Sequence, residues 1–246
     1  MPGYLRATRH PWACLLFLLP LLIAYEVGVH WFGGTESHVL RNGADAWLRR
    51  VLTDYHSAAV FVPPWVILGI LIIWSMYRWS DHPQEPFTAC FGMLVESTIF
   101  AGLLWVVSRN FPMFLEQAGI PLANIGLDVP VGPRQPSLHE RLLTYVGAGI
   151  YEEFLFRLCL ISFLTLLLRI ALLPDVPAKI LAAILGAVLF SAAHHIGANG
   201  EKVEMMPFLF RTMAGLFFTI LYLTRGFGIA VGAHAGYDII VGVAVA

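Results

Sequence analysis

The chain has 246 residues, of which 58% are hydrophobic and 13% charged, with a formal net charge of −1 and a mean hydropathy of +0.74. A soluble domain carries about 25% charged residues, so the composition excludes an ordinary globular enzyme and points to a polytopic membrane protein. Only two lysines are present and the net charge is near zero, which leaves no basis for nucleic-acid binding.

The fold class expected is all-α, a bundle of about seven spans (six to eight) with no large extra domain. Cys14, Cys90 and Cys159 lie far apart inside apolar segments, so they spell neither a disulfide framework nor a zinc motif. In chain order, Arg6 and Arg9 precede an apolar run from Pro11 to about Phe32. A cleaved signal peptide is disfavoured there, because the run is long, lacks an Ala-x-Ala-like end and is followed by more spans. Glu26 near its far end is placed at the interface.

Between residues 33 and 57, Leu40, Ala44, Trp47, Leu48, Val51 and Tyr55 recur at helical spacing, with Arg41, Asp45, Arg49 and Asp54 between them. This predicts an amphipathic interfacial helix or, equally, a loop helix packed on the bundle. A second span covers about Ala58 to Tyr77, and a third about Phe87 to Ser108. The third carries Glu96, which has no polar cluster beside it. A structural hydrogen-bonding role is expected for it, with the periphery of a site as the alternative.

Pro112, Pro121, Pro130, Pro133 and Pro136 mark residues 109–136 as the boundary between an N-terminal part, 1–136, and a C-terminal core, 137–246. The core opens with Ser137-Leu138-His139-Glu140, a capping box, and no proline follows until beyond Leu173. Three further spans are expected at about Ala178 to His195, Met206 to Leu223, and Phe227 to the C-terminus. The last is rich in glycines that permit close helix contacts (Gly228, Gly232, Gly236, Gly242) and follows Gly226. With the N-terminus inside, positive charges divide six against seven, so orientation is not decided. No internal repeat is visible.

Within this core, polar residues stand where spans should be apolar. Glu152, Glu153 and Arg157 fall about 20 Å along the central helix, where a charge needs a partner or a task. Glu153 and Arg157 are spaced i, i+4 with the acid first, the favourable order for an ion pair. Glu152 is rotated about 100° away and left free. Phe190 precedes His194 and His195 at the end of one span, and at least one of the two histidines must face inward. His234 and Asp238 share one face of the last span by the same i, i+4 spacing.

Each cluster alone has an unremarkable structural explanation, as a buried ion pair, an interfacial histidine or a satisfied core pair. Three together on three helices of one small bundle favour chemistry. A carboxylate in a low dielectric suits general-base work, and histidines suit proton transfer and oxyanion stabilisation. Other intramembrane protease patterns fail. The run His139-Glu140-Arg141-Leu142-Leu143 lacks the second histidine of a zinc site, there is no Gly-x-Ser motif, and Gly236-Tyr237-Asp238 has no second intramembrane aspartate to pair with.

The ordered triple Glu-Glu-x-x-x-Arg (Glu152, Glu153, Arg157), Phe-x-x-x-His (Phe190, His194) and His-x-x-x-Asp/Asn (His234, Asp238) resembles the CPBP family. These are the CAAX-processing and bacteriocin-processing intramembrane glutamic proteases, also called Abi proteins, and the resemblance covers about residues 137–246. It implies a membrane-embedded cavity in which Glu152 activates water with help from His194. His234 and Asp238 would form the oxyanion site, while Glu153, Arg157 and Phe190 support it.

Eukaryotic CAAX endopeptidases carry Asn at the position of Asp238. Asp238 must therefore be protonated or must instead orient His234. The resemblance implies no cofactor and no metal, although Glu152, His194 and His234 could ligate zinc. Its implied partner is a membrane-anchored protein or peptide substrate, reached from the lipid bilayer. The expected setting is a multi-pass protein of a bacterial inner membrane. A non-catalytic scaffold or immunity-type member and a proton-coupled transporter are the alternatives. The complete polar set argues against the first, and the missing repeats argue against the second.

Overall fold

The computed structural model describes residues 2–34, 40–119, 137–196 and 200–244, and over these the chain is helical without a strand. Helix α1 (Pro2–Thr8) leads to α2 (Pro11–Gly33), which His10 caps by accepting the Trp12 N–H on Nδ1. Helix α3 (Gly43–Thr53) is followed by a short 3₁₀ turn and then by α4 (Val62–Tyr77) and α5 (Pro86–Gln117). Helix α5 continues well past the expected end at Ser108, through Pro112. A proline removes one ladder hydrogen bond and kinks a helix without always ending it. Most of the proline-rich boundary, residues 120–136, lies outside the described residues.

The central helix begins where its capping box predicts. The Ser137 N–H donates to the Glu140 carboxylate at 2.7 Å, and the Ser137 hydroxyl accepts the Glu140 N–H. It runs as α6 (Leu138–Glu153), a π-helical stretch (Phe154–Ile161) and α7 (Ser162–Ile170), about 50 Å in all at 1.5 Å per residue. Three more helices complete the bundle: α8 (Asp175–Ala193), α9 (Met205–Arg225) and α10 (Phe227–Ala244). Between α9 and α10 the chain reverses at Gly226, whose φ is +104°; a Cβ there would stand 2.6 Å from the Thr8 carbonyl oxygen, so glycine is required on both counts.

Helices α2, α5, α8, α9 and α4 with its leading turn are each long and apolar enough to cross a membrane, and the shorter α10 is also apolar. With the central helix this gives about seven spans, in an all-α integral membrane protein. Their outward surfaces are apolar: Trp65, Ile73, Phe87 and Phe91 are each about 70% exposed or more. Soluble proteins rarely tolerate contiguous exposure of this kind, whereas lipid does not penalise it.

Polar groups and small residues are turned inward instead. Helix α10 sits at the centre, touching α2, α5, α6 and α9. At one end of the bundle a cavity of about 520 Å³ is lined by Arg6, Arg9, Arg78, Trp74, Tyr222 and Phe227, and none of the motif residues lines it.

Candidate active site

The site forms where α6 and α10 approach through Gly149. A Cβ on Gly149 would lie 2.7 Å from the Ala235 Cβ and 2.8 Å from the Val231 carbonyl oxygen. That contact brings the turn carrying Glu152 and Glu153 against His234. Glu153 Oε1 accepts from His234 Nδ1 at 2.7 Å, and Glu153 Oε2 lies 3.1 Å from Arg157 Nε. Both members of this ion pair are essentially fully buried. The guanidinium also lies 4.4 Å from the centroid of the Phe190 ring and donates to the Gly215 carbonyl from Nη2 at 3.4 Å. The expected pairing of Glu153 with Arg157 is thus present in the fold, and Glu153 also fixes the His234 ring.

With Nδ1 of His234 committed to Glu153, its Nε2 faces the remaining polar groups. It lies 3.8 Å from Glu152 Oε2 and 3.6 Å from Asp238 Oδ2. The imidazole is held flat by Phe218, stacked at 4.5 Å and 11°.

His194 comes from the end of α8. Its Nδ1 lies 2.9 Å from the Phe190 carbonyl oxygen, which can only accept, so the proton is on Nδ1. Its Nε2 points toward Glu152 Oε2, at 3.9 Å. The neighbouring His195 instead contacts the Glu201 carbonyl oxygen and the Phe208 ring, away from the cluster. Glu152, His194, His234 and Asp238 converge on one point, and Phe190 links two members of the group by edge-on contacts with His194 and His234, with Phe156 packed edge-on against it as well.

The π-helical stretch starts at Phe154, directly after the paired glutamates. Such segments are frequent at functional sites, and nothing in the residue pattern announces this one. Glu96 is elsewhere. It takes two hydrogen bonds from Arg225 at 2.5 and 2.6 Å and one from the Tyr4 hydroxyl at 2.9 Å, tying α1, α5 and α9 together. This is the structural role expected for it.

Helix α3 packs on α4 and α6 with its polar side inward. Asp45 and Arg49 are buried, while Trp47 is 56% exposed. Asp45 accepts from Arg49 Nε at 2.6 Å, Arg41 Nη1 at 2.7 Å and the Tyr25 hydroxyl at 2.9 Å. Glu26 accepts from Arg49 Nη2 at 2.6 Å and from the Tyr151 hydroxyl at 2.5 Å. Two guanidiniums balance two carboxylates, so the knot is neutral overall, as a buried network must be.

Asn42, which begins α3, donates from Nδ2 to Glu152 Oε1 at 2.8 Å. The sequence pattern missed this residue. An Asn before a periodic segment signals a helix start, but not that its amide reaches a glutamate 110 positions away.

Fold and site together define a helical integral membrane protein with carboxylates and imidazoles gathered in its interior. Residues 134–240 match the family model described as "Type II CAAX prenyl endopeptidase Rce1-like", so this C-terminal stretch is similar to CAAX-type endopeptidases. No curated protein and no solved structure matches the chain. Among the described residues, no group of three or more His, Cys, Asp or Glu side chains is arranged to hold a metal ion.

Proposed function

We propose that the chain is an intramembrane endopeptidase that hydrolyses a peptide bond of a membrane-associated protein or peptide, using water activated by Glu152. One observation carries the reading. His194 Nε2 and His234 Nε2 stand 3.9 and 3.8 Å from Glu152 Oε2, too far for direct hydrogen bonds and spaced for a water at about 2.8 Å to bridge them to the carboxylate.

The donor and acceptor inventory then assigns roles. Glu152 Oε2 and the His194 Nε2 lone pair both accept, so a water between them spends both protons on them and turns an oxygen lone pair outward. As that oxygen attacks the scissile carbonyl carbon, one proton passes to Glu152. His234, its Nδ1–H held by Glu153, acts as an imidazolium whose Nε2–H donates to the developing oxyanion. Collapse of the tetrahedral intermediate breaks the C–N bond, and the proton on Glu152 passes to the departing amine.

Asp238 faces the same side of His234 as Glu152, and the ring is already oriented by Glu153. Asp238 therefore serves as a protonated donor to the oxyanion rather than as the group that orients His234. Arg157 and Phe190 hold Glu153 in place and touch no reacting atom.

Prenylated CAAX tails, bacteriocin leaders and C-terminal sorting helices are the substrate classes that fit a site entered from the bilayer, and the family description favours the first. The test is to incubate purified wild type and Glu152→Ala with a pooled library of membrane-anchored peptides, prenylated ones included, with and without a zinc chelator. Products are read by mass spectrometry. Cleavage that disappears in Glu152→Ala and ignores the chelator supports the reading. Cleavage that persists in Glu152→Ala, or that the chelator abolishes, contradicts it.

A further inference from the structure

Glu152 has two carboxylate oxygens, and the mechanism above uses only Oε2. The other, Oε1, is held by a residue outside the family-matched stretch. Asn42 is 6% exposed and reaches Oε1 through Nδ2 at 2.8 Å.

The direction of that amide is not free. Asn42 Oδ1 caps α3, accepting the Ala44 N–H at 2.8 Å and the Asp45 N–H at 3.3 Å. A flipped amide would set its NH₂ against two backbone donors and its oxygen against the carboxylate, losing three hydrogen bonds at once. The cap therefore fixes the NH₂ group on Glu152.

The capping residue is itself anchored. Its backbone N–H donates to the Tyr25 hydroxyl at 3.2 Å, and that hydroxyl donates onward to Asp45 at 2.9 Å. Asp45 is in turn gripped by Arg41 and Arg49. The neighbour of Glu152, Tyr151, enters the same knot through Glu26. The buried ionic network of α3 thus grips the residues on both sides of the contact, which places Nδ2 rigidly. A rigid supporting shell of this kind is what keeps a reacting group in its productive geometry.

Resting on the reading of Glu152 as the base, we propose that Asn42 is a positioning residue for it. Asn42 ties down Oε1 so that Oε2 alone faces the site water, and it donates a hydrogen bond that favours the ionised carboxylate needed to take a proton. The site is then assembled from both halves of the chain: the α2–α3 connection aims the base and the C-terminal core supplies it.

Capping and positioning predict different outcomes for substitutions at this position. Asn, Asp and Ser cap helices about equally well, but Ser has no amide donor within reach of Glu152, and Asp would set a second anion against it. The experiment compares wild type, Asn42→Ser, Asn42→Asp and Glu152→Gln in detergent. It uses the library peptide that wild type cleaves fastest and measures kcat, KM and thermal midpoint.

We expect Asn42→Ser and Asn42→Asp to melt near wild type, with kcat reduced roughly 10- to 100-fold, KM within about twofold, and Asp below Ser. Wild-type kcat in both variants would overturn the proposal in favour of a cap alone, and so would failure of both to fold. The control separates the two readings. Activity retained in Glu152→Gln removes the base assignment itself, whereas activity lost there but retained in both Asn42 variants removes only the positioning role.

A second measurement needs no substrate. Dicyclohexylcarbodiimide, which attacks protonated carboxyl groups in membranes, should modify Glu152 severalfold faster in Asn42→Ser than in wild type, with His194, His234, Asp238 and Arg157 unchanged around it. Equal rates would count against the proposal.

Discussion

The contact at Gly149 allows a quantitative test of how packing controls the site. In Gly149→Ala the new Cβ meets the Ala235 Cβ at 2.7 Å, the Val231 carbonyl oxygen at 2.8 Å and the Ala235 N at 2.9 Å. Two of these neighbours are backbone atoms and cannot rotate away. To reach an ordinary contact of 3.4 Å, α6 and α10 must separate by about 0.7 Å. The 2.7 Å bond from His234 Nδ1 to Glu153 lies one turn further on and stretches by a similar amount.

The stability effect is modest. Overpacking costs about 1–3 kcal/mol, while replacing glycine within a helix returns about 1 kcal/mol. The net loss of about 0–2 kcal/mol corresponds to a thermal midpoint lower by no more than a few degrees. Catalysis suffers more, because a displacement approaching 1 Å costs on the order of 10²-fold. The assay measures kcat and the melting midpoint for Gly149→Ala beside Gly69→Ala and Gly102→Ala, where a Cβ meets nothing within 4 Å. The two controls should keep wild-type activity and melt at or above wild type. Wild-type kcat in Gly149→Ala would refute the argument that this helix contact sets the geometry of the site.

Other consequences can be measured in the same preparation. Asp238→Asn retains a donor without a charge and should keep most of the activity, whereas Asp238→Ala should lose about 10²–10³-fold in kcat; equal loss in both would show that a carboxylate is needed. Arg157→Ala strips the buried Glu153 of its guanidinium and leaves His234 as its remaining partner, and should destabilise by up to about 3–5 kcal/mol, read as a drop in melting midpoint; an unchanged midpoint would contradict the ion pair. Glu96→Ala releases the Arg225 and Tyr4 contacts and should lower the midpoint without lowering kcat; a drop in kcat at full folding would place Glu96 in the site after all.

His10 supplies a pH signature of folding. Burial disfavours the charged imidazole and holds it below the ordinary 6.5, outweighing the Arg78 carbonyl at Nε2, which favours the charged ring; the neutral ring caps α2 on Nδ1. The unfolded chain then binds the proton more readily, so this stabilisation is complete above pH 6.5 and is lost as pH falls through and below that value. His10→Asn should flatten the dependence of the melting midpoint between about pH 5 and 7, and an unchanged slope would refute the assignment.

Much of this architecture was legible in the residues. Long apolar runs placed the spans, Ser137 and Glu140 marked the start of the central helix, and the i, i+4 spacing of Glu153 and Arg157 foretold their ion pair. Those features are local, set within one helical turn. What escaped the pattern depends on helices far apart in sequence. The apolar positions of α3 gave no sign that its polar side would be the buried one, because the partners of Asp45 and Arg49 include Tyr25, Glu26 and Tyr151 on other helices. Phe218 is one aromatic residue among many in an apolar helix, and only the tertiary contact makes it the plate against which His234 lies. The role of Glu153 was half visible. Its bond to Arg157 follows from spacing, while its bond to His234 needs the Gly149 crossing.

The central claim is that Glu152 activates a water that attacks the peptide bond directly. A single turnover in H₂¹⁸O, with enzyme in excess over the cleaved library peptide, tests this most directly. Both the product and the enzyme peptide containing Glu152 are then weighed by mass spectrometry. The account predicts one ¹⁸O in the new product carboxylate and none in Glu152. Label in the Glu152 side chain would mean that the carboxylate itself attacks and forms an anhydride, and would contradict the account.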